Sequence, residues 1–233
     1  MNNSHIQTSG TYDFAPGMGT DILYAYGLCG IRNTALTQQH FETARMATNL
    51  LMAAWSARGV NLWAVDLQSI KLKQGCSTYP VPANTIVMLD MYITINSGAA
   101  EIDRLILPIS RTEYASYANK QQQGFPTSAW FDRLLSPTVT LWPVPDGNEN
   151  CFKYYRLRQA QDSVLANGTS VEMPIYFLEA FALGLAWRLA LAYAPDKAPM
   201  LKPLADEAYD YAANQNVETS ATYISPQMSG YYR

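Results

Sequence analysis

Charge and histidine are both scarce in this chain: 15% of its 233 residues are charged and only two are histidines. Soluble domains carry roughly 25% charged residues, so less of this surface is built for water. His5 lies in a polar leader and His40 opens a helical pattern. The commonest general base is therefore present only as a leader residue and a capping or surface residue. Three cysteines, Cys29, Cys76 and Cys151, stand far apart and in odd number, which excludes a disulfide framework and paired metal-ligand spacing and predicts reduced, buried thiols. A long basic run is missing and the net charge is −3. That balance lacks the electrostatic footprint of a dedicated nucleic-acid binder. There is no Gly-x-Ser-x-Gly elbow, His-Glu-x-x-His helix or phosphate-cradling loop. Gly17-Met18-Gly19 lacks a Lys-Ser/Thr ending and reads as linker. Catalytic, cofactor-binding and metal-binding residues are accordingly expected to be none, and no cofactor is called for.

The chain also lacks an apolar, basic-flanked start, so no secretory signal is expected. Its one long greasy run, 173–194, is broken by Glu179 and Arg188. Each would cost about 2.5–3.5 kcal/mol at the centre of a bilayer. A helix buried in protein is expected there, and no membrane partner.

Aromatic and apolar residues, by contrast, are plentiful. Nearly half the chain is hydrophobic, and Tyr occurs 16 times. Tyr favours interfaces because its ring buries area while its hydroxyl finds a partner. Much of the surface is thus expected to be covered by other chains.

Along the chain, Thr20 is a candidate N-cap with Asp21 in the first turn of a helix over 21–28. From Thr37, Phe41, Ala44, Met46, Ala47, Leu50, Leu51, Ala54 and Trp55 recur at three- and four-residue steps and predict a second helix that stops at Arg58-Gly59. The period then alternates. Trp63, Val65 and Leu67 share one parity and Ile70 and Leu72 the other, which predicts a turn or bulge near Gln68. Val87 to Ile95 is the clearest strand, Ile102 to Ile109 the next, and Arg111 to Ala118 a helical turn or two. Thr138 to Val144 and Phe152 to Arg158 flank Asp146-Gly147, a hairpin signal. Helical pattern resumes at Pro174 as a first helical residue, and Ala182, Gly184, Ala186 and Ala190 line a small-residue stripe. This helix is apolar nearly all round, so it should be covered on several sides, and the stripe is expected to pack against neighbouring subunits. A last helix is expected over about 199–214, with Pro203 disturbing its start.

The fold class expected is α+β: a helical bundle formed by both ends of the chain, an antiparallel β-rich insertion and an extended C-terminal arm. The divisions are a leader at 1–19, a helical ring-forming domain at 20–61 and 172–214, a β-rich domain at 62–171 and an arm at 215–233. The arm shows no packing period, yet it carries Tyr223, Ile224, Met228, Tyr231 and Tyr232 on a polar background. These five are the candidate partner-binding residues of a segment that orders against another protein.

Two patterns invite a chemical reading. Glu101 and Asp103 share a strand face, but paired carboxylates beside a turn are ordinarily solvated, so a hydrolase has little support. Lys153, Arg156 and Arg158 interleave with Tyr154 and Tyr155, a pattern that can bind single-stranded nucleic acid. A half-exposed strand whose long side chains cover apolar neighbours is the better expectation.

The order of the shape-forming residues carries a resemblance. Trp55 and Gly59 lead into Val60-Asn61-Leu62-Trp63. Gly75 to Pro82 reads Gly-x-x-x-Tyr-x-Val-Pro, and Leu107-Pro108-Ile109-Ser110-Arg111 precedes Tyr114. Gly124-Phe125-Pro126-Thr127 with Trp130, Leu141-Trp142-Pro143-Val144-Pro145, and Phe152 to Arg158 complete the series. In that order, over about residues 20–215, the chain resembles the head-to-tail adaptor (connector) proteins of short-tailed bacteriophages, among them tail tubular protein A and packaged-DNA stabilisation proteins. The resemblance implies a homo-oligomeric ring, usually a dodecamer, beneath the portal protein. Such a ring hands the channel on to a tail nozzle or tail tube protein, and DNA passes through without sequence-specific binding. It further implies a virion location at the head–tail junction after synthesis in the host cytoplasm. Two other classes stay open at this point: a cell-wall or glycan hydrolase, and a glycan- or receptor-binding tail module.

Overall fold

The computed structural model describes residues 10–11, 14–59, 61–96, 101–164 and 169–217. Helices and sheets are both present, so the fold is α+β. The candidate arm residues Tyr223, Ile224, Met228, Tyr231 and Tyr232 lie outside the described residues.

Four long helices share one core. They are α1 (Met18–Leu28), α2 (Gln38–Ser56), α4 (Leu178–Tyr193) and α5 (Ala198–Gln215); α3 (Arg111–Ser116) is a short helix elsewhere. α1 begins at Gly17, not at Thr20 as expected, because Met18 is buried and its backbone N–H donates to Thr169 O at 2.8 Å. Met18 and Gly19 are therefore helix, not linker. α2 starts where expected. Thr37 N donates to His40 Nδ1 at 3.2 Å, so His40 is a capping residue.

α4 occupies the middle of this core, packed against α1, α2 and α5. Its apolar circumference is thus covered mainly by helices of the same chain. The short 3-10 turn Ile175–Phe177 leads into it, capped at Pro174, so Pro174 stands one residue before the helical turn. By length and composition alone, Ile175–Tyr193 is apolar enough to cross a membrane, and half of its most apolar window is buried in the protein. α5 tolerates Pro203 within its first two turns.

A second core lies between two four-stranded sheets. The first has the order β1 (Val65–Lys71), β8 (Cys151–Arg158), β3 (Thr85–Asn96), β4 (Glu101–Leu105), all antiparallel. The second is β2 (Thr78–Pro80), β7 (Thr138–Trp142), β6 (Ser128–Asp132), β5 (Leu107–Pro108), in which β5 runs parallel to β6. Phe152, Tyr154, Ile93, Ile106, Val139 and Leu141 are buried between them.

Three strand expectations need correction. β1 pairs with β8 in unbroken register from Val65–Leu157 to Lys71–Cys151, so no bulge falls at Gln68. The parity switch arises because β1 is an edge strand that leaves Leu67 exposed; the bulges lie in β3 instead. The segment 102–109 is not one strand. At Ile106 the chain leaves the first sheet for the second, its N–H held by Met91 O at 3.0 Å. Nor do β7 and β8 form a hairpin around Asp146-Gly147; they belong to different sheets. Pro143 and Pro145 have no N–H to extend a ladder, and Val144 N turns instead to Gln122 O at 2.8 Å.

Candidate functional site

The basic residues of β8 are engaged within the chain. Arg156, buried, donates to both Asp66 carboxylate oxygens at 2.7 and 3.1 Å, to Asn84 Oδ1 at 2.8 Å and to Thr85 Oγ1 at 2.8 Å. Arg158 grips Glu172 with two N–H groups, and Glu172 also accepts from Gln161 N at 2.9 Å. Arg156 holds the Asp66 carboxyl below the usual carboxylate range, and Arg158 does the same for Glu172. Lys153 reaches Glu101 at 3.4 Å. With the cations paired, the strand is a brace between sheet and helices, and a nucleic-acid stripe is not what it builds. Arg158 ends β8 and Glu172 leads into α4, so this clamp fixes how the helices sit on the first sheet.

The two carboxylates of the Glu101–Asp103 pair are likewise occupied. Asp103 Oδ1 accepts from Thr94 Oγ1 at 2.6 Å, while Glu101 faces Lys153. Among the described residues, no group of three or more His, Cys, Asp or Glu could hold a metal ion. All three thiols are free; Cys29 is buried and donates to Ala186 O at 3.3 Å, while Cys76 and Cys151 are half-buried.

The aromatic residues pack on one another. Trp55, Trp63, Phe177 and Tyr209 form a hub that joins α2, α5 and the turn before α4, with ring centroids 4.7–6.0 Å apart. On the β side, Tyr114 stacks on Trp130 at 5.3 Å and Tyr117 lies 4.2 Å from Trp142. All five tryptophans are buried or half-buried. The motif residues act as braces too. Tyr79 Oη accepts from Lys73 N at 3.0 Å and donates to Cys76 O at 2.9 Å, fixing the turn in which Gly75 takes φ +75°. Ser110 caps α3 by accepting from Glu113 N at 3.1 Å.

The small-residue stripe of α4 is accounted for within the chain. Ala186 and Ala190 are fully buried, and a side chain at Gly184 would meet the Leu51 methyls at 3.1 and 3.3 Å. Small size here lets α2 approach α4 closely. Ala182 differs: it borders a groove of about 450 Å³ between α1 and α4, whose walls include Phe14, Tyr24, Leu178 and Leu183. Asp21 also faces this groove. It is only 8% exposed, and its Oδ2 has no hydrogen-bond partner among the described residues. Burial pushes its carboxyl up from 3.8 to about 6. Glu179, exposed, stands on the groove's other wall. The sequence marks Asp21 as a first-turn residue, and nothing in its neighbours signals burial.

A second orphan sits on the opposite side of α4. Arg188 Nε is buried without a hydrogen-bond partner among the described residues, its guanidinium held below its ordinary pKa by burial and by Arg58. The exposed surface carries large apolar side chains. Leu134 is 60% and Leu135 100% exposed at the tip of the β6–β7 hairpin, where Arg133 is exposed and unpaired among the described residues.

Comparison with curated proteins finds no match. The family model described as SU10 adaptor protein matches residues 33–227, so it takes in all of the sheets and every long helix except α1. With most of its length matched, the chain belongs to the SU10 adaptor protein family, a structural family of bacteriophage adaptors.

Proposed function

We propose that the chain is a non-catalytic connector that assembles as a ring, a dodecamer, beneath the portal protein at the head–tail junction. The ring joins the portal to the tail nozzle or tail tube protein and forms part of the channel through which DNA leaves the head. The family match over 33–227 carries this reading. The internal pairing of Lys153, Arg156 and Arg158 supports a passage role: a chain of net charge −3 with its strand cations neutralised offers sliding DNA little to grip.

In this reading the helical parts, 20–61 and 172–214, form the ring, and the β-rich part, 62–171, meets the next tail component. The arm at 215–233 reaches along the portal through Tyr223, Ile224, Met228, Tyr231 and Tyr232. The protein is made in the host cytoplasm and carried in the virion, with neither membrane nor sequence-specific DNA as partner. The test is a mass measurement of the purified full-length chain alone and mixed with its portal ring. A portal-bound species with many copies of the 25.9 kDa chain is expected. A chain that never associates with the portal, at any concentration, refutes the reading.

A further inference from the structure

Two features of this chain are unexplained by its own packing, and they match each other. One is the groove between α1 and α4, with apolar walls and the exposed Glu179 carboxylate on one of them. The other is the hairpin tip Arg133-Leu134-Leu135, which presents two open leucines beside a cation that is unpaired among the described residues. A protruding leucine pair loses water contact only by entering an apolar recess, and an exposed carboxylate on the wall of that recess attracts a guanidinium.

We propose that the β6–β7 tip of one copy docks in the α1–α4 groove of the next, Leu134 and Leu135 entering between Phe14, Tyr24 and Leu183 and Arg133 meeting Glu179 on the groove wall. Knob and groove are different surfaces of one chain, so the contact is heterologous, and its repetition closes a ring when the rotation permits. The proposal rests on the ring reading and names the lateral contact within it. Of the four stripe residues, Ala182 alone borders this contact.

The test mixes two full-length variants under mild oxidation, Leu135→Cys in one chain and Thr20→Cys, at the groove rim, in the other. A disulfide between the two chains is expected in the mixture and in neither variant alone. Adding Arg133→Glu to the first chain should cut its yield about tenfold, and Glu179→Lys in the second should restore it. Leu135 is fully exposed and Thr20 exposed, so unchanged melting of each single variant guards against misfolding. No cross-link, or a yield indifferent to charge reversal, overturns the contact. So does a Thr20→Cys thiol shielded until residues 1–13 are removed, which makes the chain's own leader the occupant. The mass of the wild-type chain separates the two levels. Multimers without the cross-link refute the contact and leave the ring, whereas a cross-link between copies that never exceed a pair keeps the contact and refutes the ring.

Discussion

Replacing Asp21 with Asn removes a charge that the folded chain holds at a cost. The carboxyl ionises at 3.8 when the chain is unfolded and at about 6 when folded, because burial disfavours its charged form. Between those values the folded state keeps a proton that the unfolded state has lost, so stability falls as pH rises through this window. Below 3.8 the penalty is absent, and above about 6 it is complete. At ~1.4 kcal/mol per pH unit, the gap sets an upper bound of about 3 kcal/mol. Asp21 also lies in the first turn of α1, where the helix dipole favours a negative charge by about 0.3–1 kcal/mol. The Asn variant should therefore be the more stable by about 2 kcal/mol at pH 8. At pH 4 the difference should shrink to a few tenths. Urea denaturation of both proteins at pH 4, 5, 6, 7 and 8 gives the curve directly, and the difference between them isolates this group from every other carboxylate. A pH-independent difference refutes the reasoning, as does an Asn variant that is the weaker at pH 8; either means the carboxylate has a partner in the folded chain.

Three further outcomes are expected. Arg156→Met should destabilise the chain by about 3–5 kcal/mol in denaturant titration, since Asp66, Asn84 and Thr85 lose their shared donor; a loss below about 1 kcal/mol contradicts the brace. Gly184→Val should lower the melting temperature through about 1–3 kcal/mol of overpacking against Leu51, and adding Leu51→Ala should recover part of it; no recovery means the strain lies elsewhere. Removing 218–233 should leave the melting transition within a degree or two of wild type while weakening portal association in a pull-down, and undiminished association removes the arm from the portal reading.

Most of the helices are legible in the amino-acid sequence. α2 announces itself through its apolar stripe, which starts near Thr37, and α5 through its period despite Pro203. Local signals decide such elements, so a single sequence contains them. The start of α1 is misplaced by those signals because a bond to Thr169, far along the chain, outweighs the better capping side chain of Thr20. Strand pairing is less legible. Asp146-Gly147 signals a hairpin, yet the flanking strands serve different sheets, a choice made by which core Leu141 and Phe152 enter. Strand β6 carries Trp130 and Phe131 but no clean alternation, so its sequence does not mark it as a strand. The same limit hides the candidate site. That Arg156 finds Asp66, or that Asp21 is buried beside a groove, depends on residues 90 positions away or on another helix. Leu134-Leu135 has the pattern of ordinary apolar residues, and only the fold leaves the pair in the open.

The crossing at Ile106 has a mechanical consequence. One unbroken stretch of backbone belongs to β4 on one side of this residue and to β5 on the other, and its N–H is fastened to Met91. Neither layer can slide along the other without tearing that fastening, so a tug on the Ser110 end is felt at once in the opposite layer. A load applied to either sheet therefore pulls on a stiff block and not on a flap.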